Sequence, residues 1–305
     1  MEPVALDQLT DLDAVLTDDE KLTRDTIRQF VAEKYLPAIG DLFEKHTFPD
    51  ELIPDIASLG VLGASLKGYG CAGVSAVTYG LILQELEYGD SGLRSFVSVQ
   101  GSLAMYAIYN SGSEAQKQHW LPRMAKGEVI GCFGLTEPDS GSDPGAMRTM
   151  ARRDGDAYVL NGSKMWITNS PISDVAVVWA KLEEDSPRAI RGFLVERGTP
   201  GFETPTIYKK MSLRASHTGE IVLSDCRIPA DNLLPESRGL GSPRACLNQA
   251  RFGVAWGAMG AAKACFDSAL AYSRERIQFG VPIASKQLIQ DNWWRWGWKS
   301  LRPRS

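Results

Sequence analysis

The stretch Gly131-Cys-Phe-Gly-Leu-Thr-Glu-Pro-Asp-Ser-Gly-Ser-Asp143 carries the densest set of groups able to meet a polar ligand. A β-rich run gives way at Thr136 to a loop holding Pro138, Gly141 and Ser142, so backbone N–H groups and hydroxyls are presented together. Loops of this kind hold a phosphate or the polar edge of a ring. Taken alone, such a stretch is more often an ordinary strand-to-turn passage. It contains neither the phosphate loop GxxxxGK[ST] nor the dinucleotide fingerprint GxGxxG.

Two further segments have chemical potential. In Lys164-Met-Trp-Ile-Thr-Asn-Ser170 a Trp followed by a Thr offers an aromatic face and a hydroxyl to a flat ligand, although an isolated example is more often a strand with a core Trp. Arg274-Glu-Arg-Ile-Gln-Phe-Gly-Val-Pro-Ile283, with Gln287 beyond it, reads alone as a helix C-terminus carrying favourable cations. Arg94 lies in Asp90-Ser-Gly-Leu-Arg-Ser95, inside an otherwise apolar helical region. Its planar fork can meet a carboxylate with two hydrogen bonds, and without further context it reads as a solvated Arg at a helix start. Glu87, seven residues earlier, shares a face with it if the helix persists.

Three layers of elements must position these groups. From about Asp18 to Ala125 the periodicity is helical: an Asp-rich start precedes Leu22, Ile27, Phe30 and Val31, and Pro37 is expected to stop that run. Ser75 to Glu87 is a second helix, and Ser113 with Gln116 forms a capping-box pattern before Trp120. Gly68, Gly70 and Gly73 mark a loop. Short β-rich runs follow at Val129–Leu135, Tyr158–Leu160, Met165–Thr168, Val175–Lys181, Gly192–Glu196 and Glu220–Leu223, with Asn161-Gly162 expected as a turn between two of them. After a connector at Pro235–Gly241, a long helix is expected from Ser242-Pro243, with Ser as cap, to Phe279. Its small residues Gly253, Gly257, Ala258, Gly260, Ala261 and Ala262 would let another helix approach closely.

The expected fold is therefore multidomain α and β. It comprises an N-terminal helical domain (1–128), a central β-barrel or sandwich domain (129–238), and the start of a C-terminal helical bundle (239–290), followed by a Trp/Arg-rich tail (291–305). The 305 residues exceed one small core, and 44% apolar with 23% charged residues is ordinary globular usage. A net charge of −4 gives no footprint for nucleic acid, and no apolar run reaches the ~20 residues a membrane span needs. The acidic Met1–Glu20 has neither a secretory nor a transit layout, so the chain is expected to stay in the compartment of its synthesis. Cys71, Cys132, Cys226, Cys246 and Cys265 show no metal-ligand spacing and are expected to be buried reduced thiols. No GxSxG elbow points to a serine hydrolase.

Together and in this order, Phe-Gly-Leu-Thr-Glu-Pro (133–138), Gly-Ser-Asp (141–143), Trp-Ile-Thr-Asn (166–169) and Arg-x-x-Phe-Gly (276–280) resemble the acyl-CoA dehydrogenases, from about residue 15 to Gln290. Asp90 to Gln100, Ser212-Leu-Arg-Ala-Ser216 and Cys246-Leu-Asn-Gln-Ala-Arg251 are most similar to the glutaryl-CoA dehydrogenases within that family. The resemblance implies FAD as cofactor, with Phe133, Leu135, Thr136, Trp166, Ile167 and Thr168 along the isoalloxazine and Gly141 and Ser142 in the loop beside it. Arg276, Gln278, Phe279 and Gln287 would hold the pyrophosphate and adenine end, partly across a subunit boundary. Ser142, Leu247, Asn248 and Arg251 would touch the CoA thioester portion, and Arg94, Ser95 and Ser98 would receive a distal carboxylate.

The implied reaction is oxidation and decarboxylation of glutaryl-CoA to crotonyl-CoA, in lysine and tryptophan degradation. Electron-transfer flavoprotein is the implied acceptor and a homotetramer the implied assembly, with no nucleic acid and no membrane insertion. The family works in the bacterial cytoplasm or the mitochondrial matrix. Its glutamate base sits in a Tyr-Glu-Gly-Thr segment that has no counterpart here, so no catalytic residue is assigned and turnover is expected to be impaired. Past Gln290 the resemblance is expected to fail: Trp293, Trp294, Trp296 and Trp298 follow no helical stripe, and the small-residue face of the long helix is expected to lack its partners. The alternatives are a non-catalytic remnant acting as a binding or subunit-interaction module, and a dehydrogenase for another short-chain acyl-CoA.

Overall fold

Thr17 caps the first long helix through a reciprocal box with Glu20, and α1 runs Asp18–Phe30 with Ile27 and Phe30 turned inward. In the computed structural model, which describes residues 12–184 and 189–301, Pro37 does not end this helix. A wider π-helical turn spans Val31–Tyr35, the Leu36 N–H bonds to the Val31 carbonyl, and α2 (Leu36–Lys45) begins with Pro37 in its first turn. Proline is tolerated there because its missing N–H has no intrahelical partner to lose. Most of the acidic N-terminal stretch, residues 1–11, lies outside the described residues.

The remaining helices of this layer are α3 (Ile53–Ser58), α4 (Ala76–Gly89), α5 (Ser91–Ser98), α6 (Tyr106–Ser111) and α7 (Glu114–Ala125). Ser75 caps α4, and Ser113 with Gln116 makes the expected box on α7. A π-helical stretch, Val99–Met105, joins α5 to α6. Ile27, Val31 and Tyr35 pack with Leu83, Leu86, Leu93 and Phe96 to form the helical core.

Near Gly127 the chain enters one curled seven-stranded sheet. Its strands are β1 (Gly131–Gly134), β2 (Met150–Asp154), β3 (Ala157–Thr168), β4 (Val175–Leu182), β5 (Ile190–Glu196), β6 (Phe202–Glu203) and β7 (Thr218–Pro229). β1 lies parallel to β4, while β3 pairs antiparallel with β2 and β7. The expected turn at Asn161-Gly162 is instead a bulge inside a single strand. The β3–β7 register slips between Leu160 and Gly162, and Gly162 adopts φ 144° with Thr149 so close that a side chain would collide with it. The true hairpin turn lies earlier, at Gly155, and β2 and β6 carried no strand signal.

The last layer is α8 (Gly241–Glu275), shorter than expected at its C-terminal end. Ser242 does not cap it. Its hydroxyl accepts from the Arg238 N–H at 2.9 Å. Beyond Glu275, Ile277–Gln278 pairs with Val281–Pro282 across Phe279 and Gly280, whose φ values of 55° and 76° suit a tight hairpin turn. The glycines of the small-residue face of α8 lie on α4, while Ala258, Phe252, Val254 and Met259 stay exposed, so the expected exposure of apolar surface is found on part of this helix. A Cβ at Gly260 would come 2.0 Å from the Gln84 carbonyl, and one at Gly253 would come 2.3 Å from Leu83.

Residues past 290 continue a helix, α9 (Gln287–Leu301). Trp293 and Trp296, three apart, stack on each other at 6.1 Å and present edges to Phe266 of α8, a stripe that the four-Trp spacing hides. The side chain of Trp298 lies outside the described residues. All five cysteines are unpaired, but Cys265 is exposed on the outer side of α8, against expectation.

Candidate active site

A recess opens where the helical layer meets the edge of the sheet. Val99 and Leu103 of the π-helical stretch, Phe133, Leu135 and Thr136 from the end of β1, Trp166, Ile167 and Thr168 from the end of β3, and Leu247 of α8 line it. At about 150 Å³ it takes the edge of a ring and not a whole dinucleotide. Gly141 and Ser142, in the loop that follows Thr136, are exposed and are not among the residues lining the recess.

A second bulge in β3, between Lys164 and Ile167, gives the recess its shape. It leaves Trp166 at φ 61°, a left-handed conformation uncommon for a side chain of this size, with the indole 58% exposed. Asn169 is also left-handed, at φ 68°, and is buried with its side-chain amide on the Phe96 carbonyl. Arg197 then holds the following turn through the Ser173, Ser170 and Pro171 carbonyls. The backbone around Thr168 is thereby fixed from both sides.

Beneath the recess lies a buried ion pair. Lys164, fully buried, donates to Glu137 Oε1 at 2.8 Å and to the Leu135 carbonyl at 3.2 Å. The Glu137 carboxylate also accepts from the Arg148 N–H (2.6 Å), the Thr149 N–H (3.0 Å) and the Thr149 hydroxyl (2.5 Å). Burial alone would raise the Glu137 pKa, but the Arg148 N–H, the Lys164 ammonium and Thr149 outweigh it and hold the carboxyl below the usual range. Burial pushes Lys164 down to about 8 against the pull of Glu137.

The residues expected at a distal carboxylate lie together in the helical layer. Arg94 Nε donates to Glu87 Oε2, both side chains nearly buried, and Glu87 also accepts from Ser91 Oγ at 2.5 Å. Gly257 of α8 faces this pair so closely that a side chain there would meet both. Ser95 and Ser98 are buried on the same short helix. Nearby, the Tyr79 hydroxyl bonds Ser102, and burial raises its pKa.

The expected adenine-end residues are not brought to the recess. Arg276, Gln278, Phe279 and Gln287 are exposed, and the Lys286 ammonium stands 5.4 Å from the Phe279 ring. Asn248, next to Leu247, and Arg251, a turn further along α8, sit exposed and bonded to each other at 3.3 Å. Sequence reasoning missed Val99, Leu103, Tyr79 and the Glu137–Lys164 pair. Only the last left a signal, a lysine inside an otherwise half-buried strand. Among the described residues no cluster of side chains could hold a metal ion, and no helix is long and apolar enough to cross a membrane.

Comparison with known proteins agrees with this architecture layer by layer. Residues 17–128 match the acyl-CoA dehydrogenase N-terminal domain, 132–226 the middle domain, and 237–297 the C-terminal domain. The chain belongs to the acyl-CoA dehydrogenase family, a class of oxidoreductases. It is 37% identical over 279 residues to the mitochondrial short-chain specific acyl-CoA dehydrogenase of Rattus norvegicus, covering 90% of this chain and 68% of that protein. Among solved structures it is similar to a glutaryl-CoA dehydrogenase from Mycobacterium smegmatis in complex with FADH2, with TM-score 0.95 and 51% identity over 98% of this chain and 76% of that one. A glutaryl-CoA dehydrogenase solved with glutaryl-CoA gives TM-score 0.86 and 34% identity over 92% of this chain and 72% of that one.

Proposed function

We propose that this chain binds FAD and a short acyl-CoA ending in a carboxylate, glutaryl-CoA being the best fit, and belongs to a glutaryl-CoA-type dehydrogenase. The recess supports the cofactor half of this reading. Aromatic and aliphatic walls flank the half-buried hydroxyls of Thr136 and Thr168, which suits a flat heterocycle with polar edges. FAD, when bound, supplies the hydride acceptor. This chain's residues orient it, with Trp166 and Phe133 against the ring and the two threonines hydrogen-bonding its edge.

One observation carries the substrate half: Arg94 sits nearly buried in the helical layer, held by Glu87 through Nε. Glu87 fixes the stem side of the guanidinium, which leaves the terminal nitrogens for a second carboxylate. Ser95 and Ser98 supply hydroxyls on the same helix, while Asn248 and Arg251 suit the CoA portion. Electron-transfer flavoprotein as acceptor, homo-oligomeric assembly and the domain limits given above are part of the same reading.

The test is calorimetric titration of FAD-loaded protein with glutaryl-CoA and with butyryl-CoA, which lacks the carboxylate. Tighter binding of glutaryl-CoA supports the reading. Equal or weaker binding would place the chain among dehydrogenases for uncharged short acyl groups.

A further inference from the structure

The Glu137–Lys164 pair is buried where fold stability gives little reason for it. Two charges lose their hydration on burial, and replacing such a pair by apolar side chains of similar volume is often neutral or stabilising. Its contacts point to a different use. Lys164 Nζ holds the carbonyl of Leu135, the Glu137 side chain follows directly after Thr136, and the Met165 N–H bonds the Thr136 carbonyl at 2.9 Å. Both neighbours of Thr136 and both residues preceding Trp166 are therefore tied into one unit.

Glu137 anchors that unit to the start of β2 through Arg148 and Thr149. Gly134 suits the same arrangement, because a Cβ there would stand 3.0 Å from Ile221 and 3.2 Å from the Lys164 stem, and a neighbour would have to shift. Lys164 Nζ thereby holds the carbonyl of a lining residue, whereas the Glu137 carboxylate accepts from the backbone at the start of β2.

We propose that Lys164 and Glu137 are positioning residues: they hold Thr136 and the strained Trp166 bulge in register so that both meet the ring. This rests on the reading that the recess receives a flavin. Each charge is neutralised by the other at 2.8 Å, so the pair acts through geometry: without it Thr136 and Trp166 lose their shared anchor while the fold persists. A role limited to stability would move the melting temperature, and flavin affinity would only follow it.

The test compares the wild-type chain with Lys164→Met, Glu137→Gln and the double variant, using FAD and FADH2 as probes under anaerobic conditions. Fluorescence titration gives each dissociation constant, and thermal unfolding is followed on the same samples. The double variant buries no charge, so it carries the test even if Lys164→Met does not fold. The expected result is a double variant that melts near the wild type but binds FAD and FADH2 each about tenfold more weakly. Unchanged affinity, or a loss of affinity matched by a loss of thermal stability, would overturn the proposal and leave the pair a structural one. Absence of saturable flavin binding by the wild type would overturn the flavin reading itself, and the pair's role with it.

Discussion

The backbone N–H of Met165 donates to the carbonyl of Thr136 at 2.9 Å, joining the loop that leaves β1 to the bulge near the end of β3. Neither segment is in ordinary strand geometry at that point, since the bulge carries Trp166 at φ 61°. The bond makes them one surface. Hydroxyls and aromatic faces from two distant stretches of sequence thereby line a single recess.

Close packing of α8 on α4 sets the position of Leu247 and of the Arg94–Glu87 pair relative to that surface. Gly260→Ala is expected to destabilise the protein by about 1–3 kcal/mol, because the new Cβ would meet a backbone carbonyl that cannot rotate away. Gly241→Ala, at the start of the same helix with nothing within 4 Å, should leave stability unchanged or slightly raised. Thermal unfolding of the two variants checks the contrast.

Arg94→Ala should weaken glutaryl-CoA binding by about tenfold or more and leave butyryl-CoA binding nearly unchanged, because a carboxylate would then enter the helical layer without its cation. Arg94→Lys should recover only part of the loss, since an ammonium has no fork. The readout is the ratio of the two dissociation constants in each protein. A parallel loss for both ligands would mean that Arg94 supports the fold.

Glu137 makes the stability depend on acid in a defined sense. Its folded pKa lies below its ordinary value of 4.5, so its contribution is complete above that value and is lost as pH falls through the folded pKa. The Glu137→Gln/Lys164→Met double variant removes this dependence without leaving a buried lysine unpaired. Denaturation midpoints between neutral pH and about pH 3 should therefore fall less steeply for the variant than for the wild type.

Much of this was legible in the residues. The capping box at Ser113, the Asp-rich start of α1, the small-residue face of α8 and the β-rich middle third follow from local rules of hydrogen bonding and periodicity. Phe133, Leu135, Thr136, Trp166, Ile167 and Thr168, singled out by their order along the chain, do come together around one recess. The features missed depend on tertiary context. Asn161-Gly162 has turn chemistry, but pairing with β7 on one side and Thr149 on the other keeps it within a strand as a bulge. Pro37 breaks a regular helix but not one that widens by a π-turn just before it. The partner of Lys164 is set by how β1, β2 and β3 come together, which no local signal encodes.

The central claim is that the recess between Phe133 and Thr168 receives a flavin ring. Titration of the purified chain with FAD, following quenching of flavin fluorescence, measures this most directly in the wild type and in the Thr136→Val/Thr168→Val double variant. Saturation at one FAD per chain is expected for the wild type, with a dissociation constant about tenfold or more higher for the variant, whose recess keeps its shape but loses both hydroxyls. Absence of saturable quenching in the wild type, or identical curves for the two proteins, would contradict that claim.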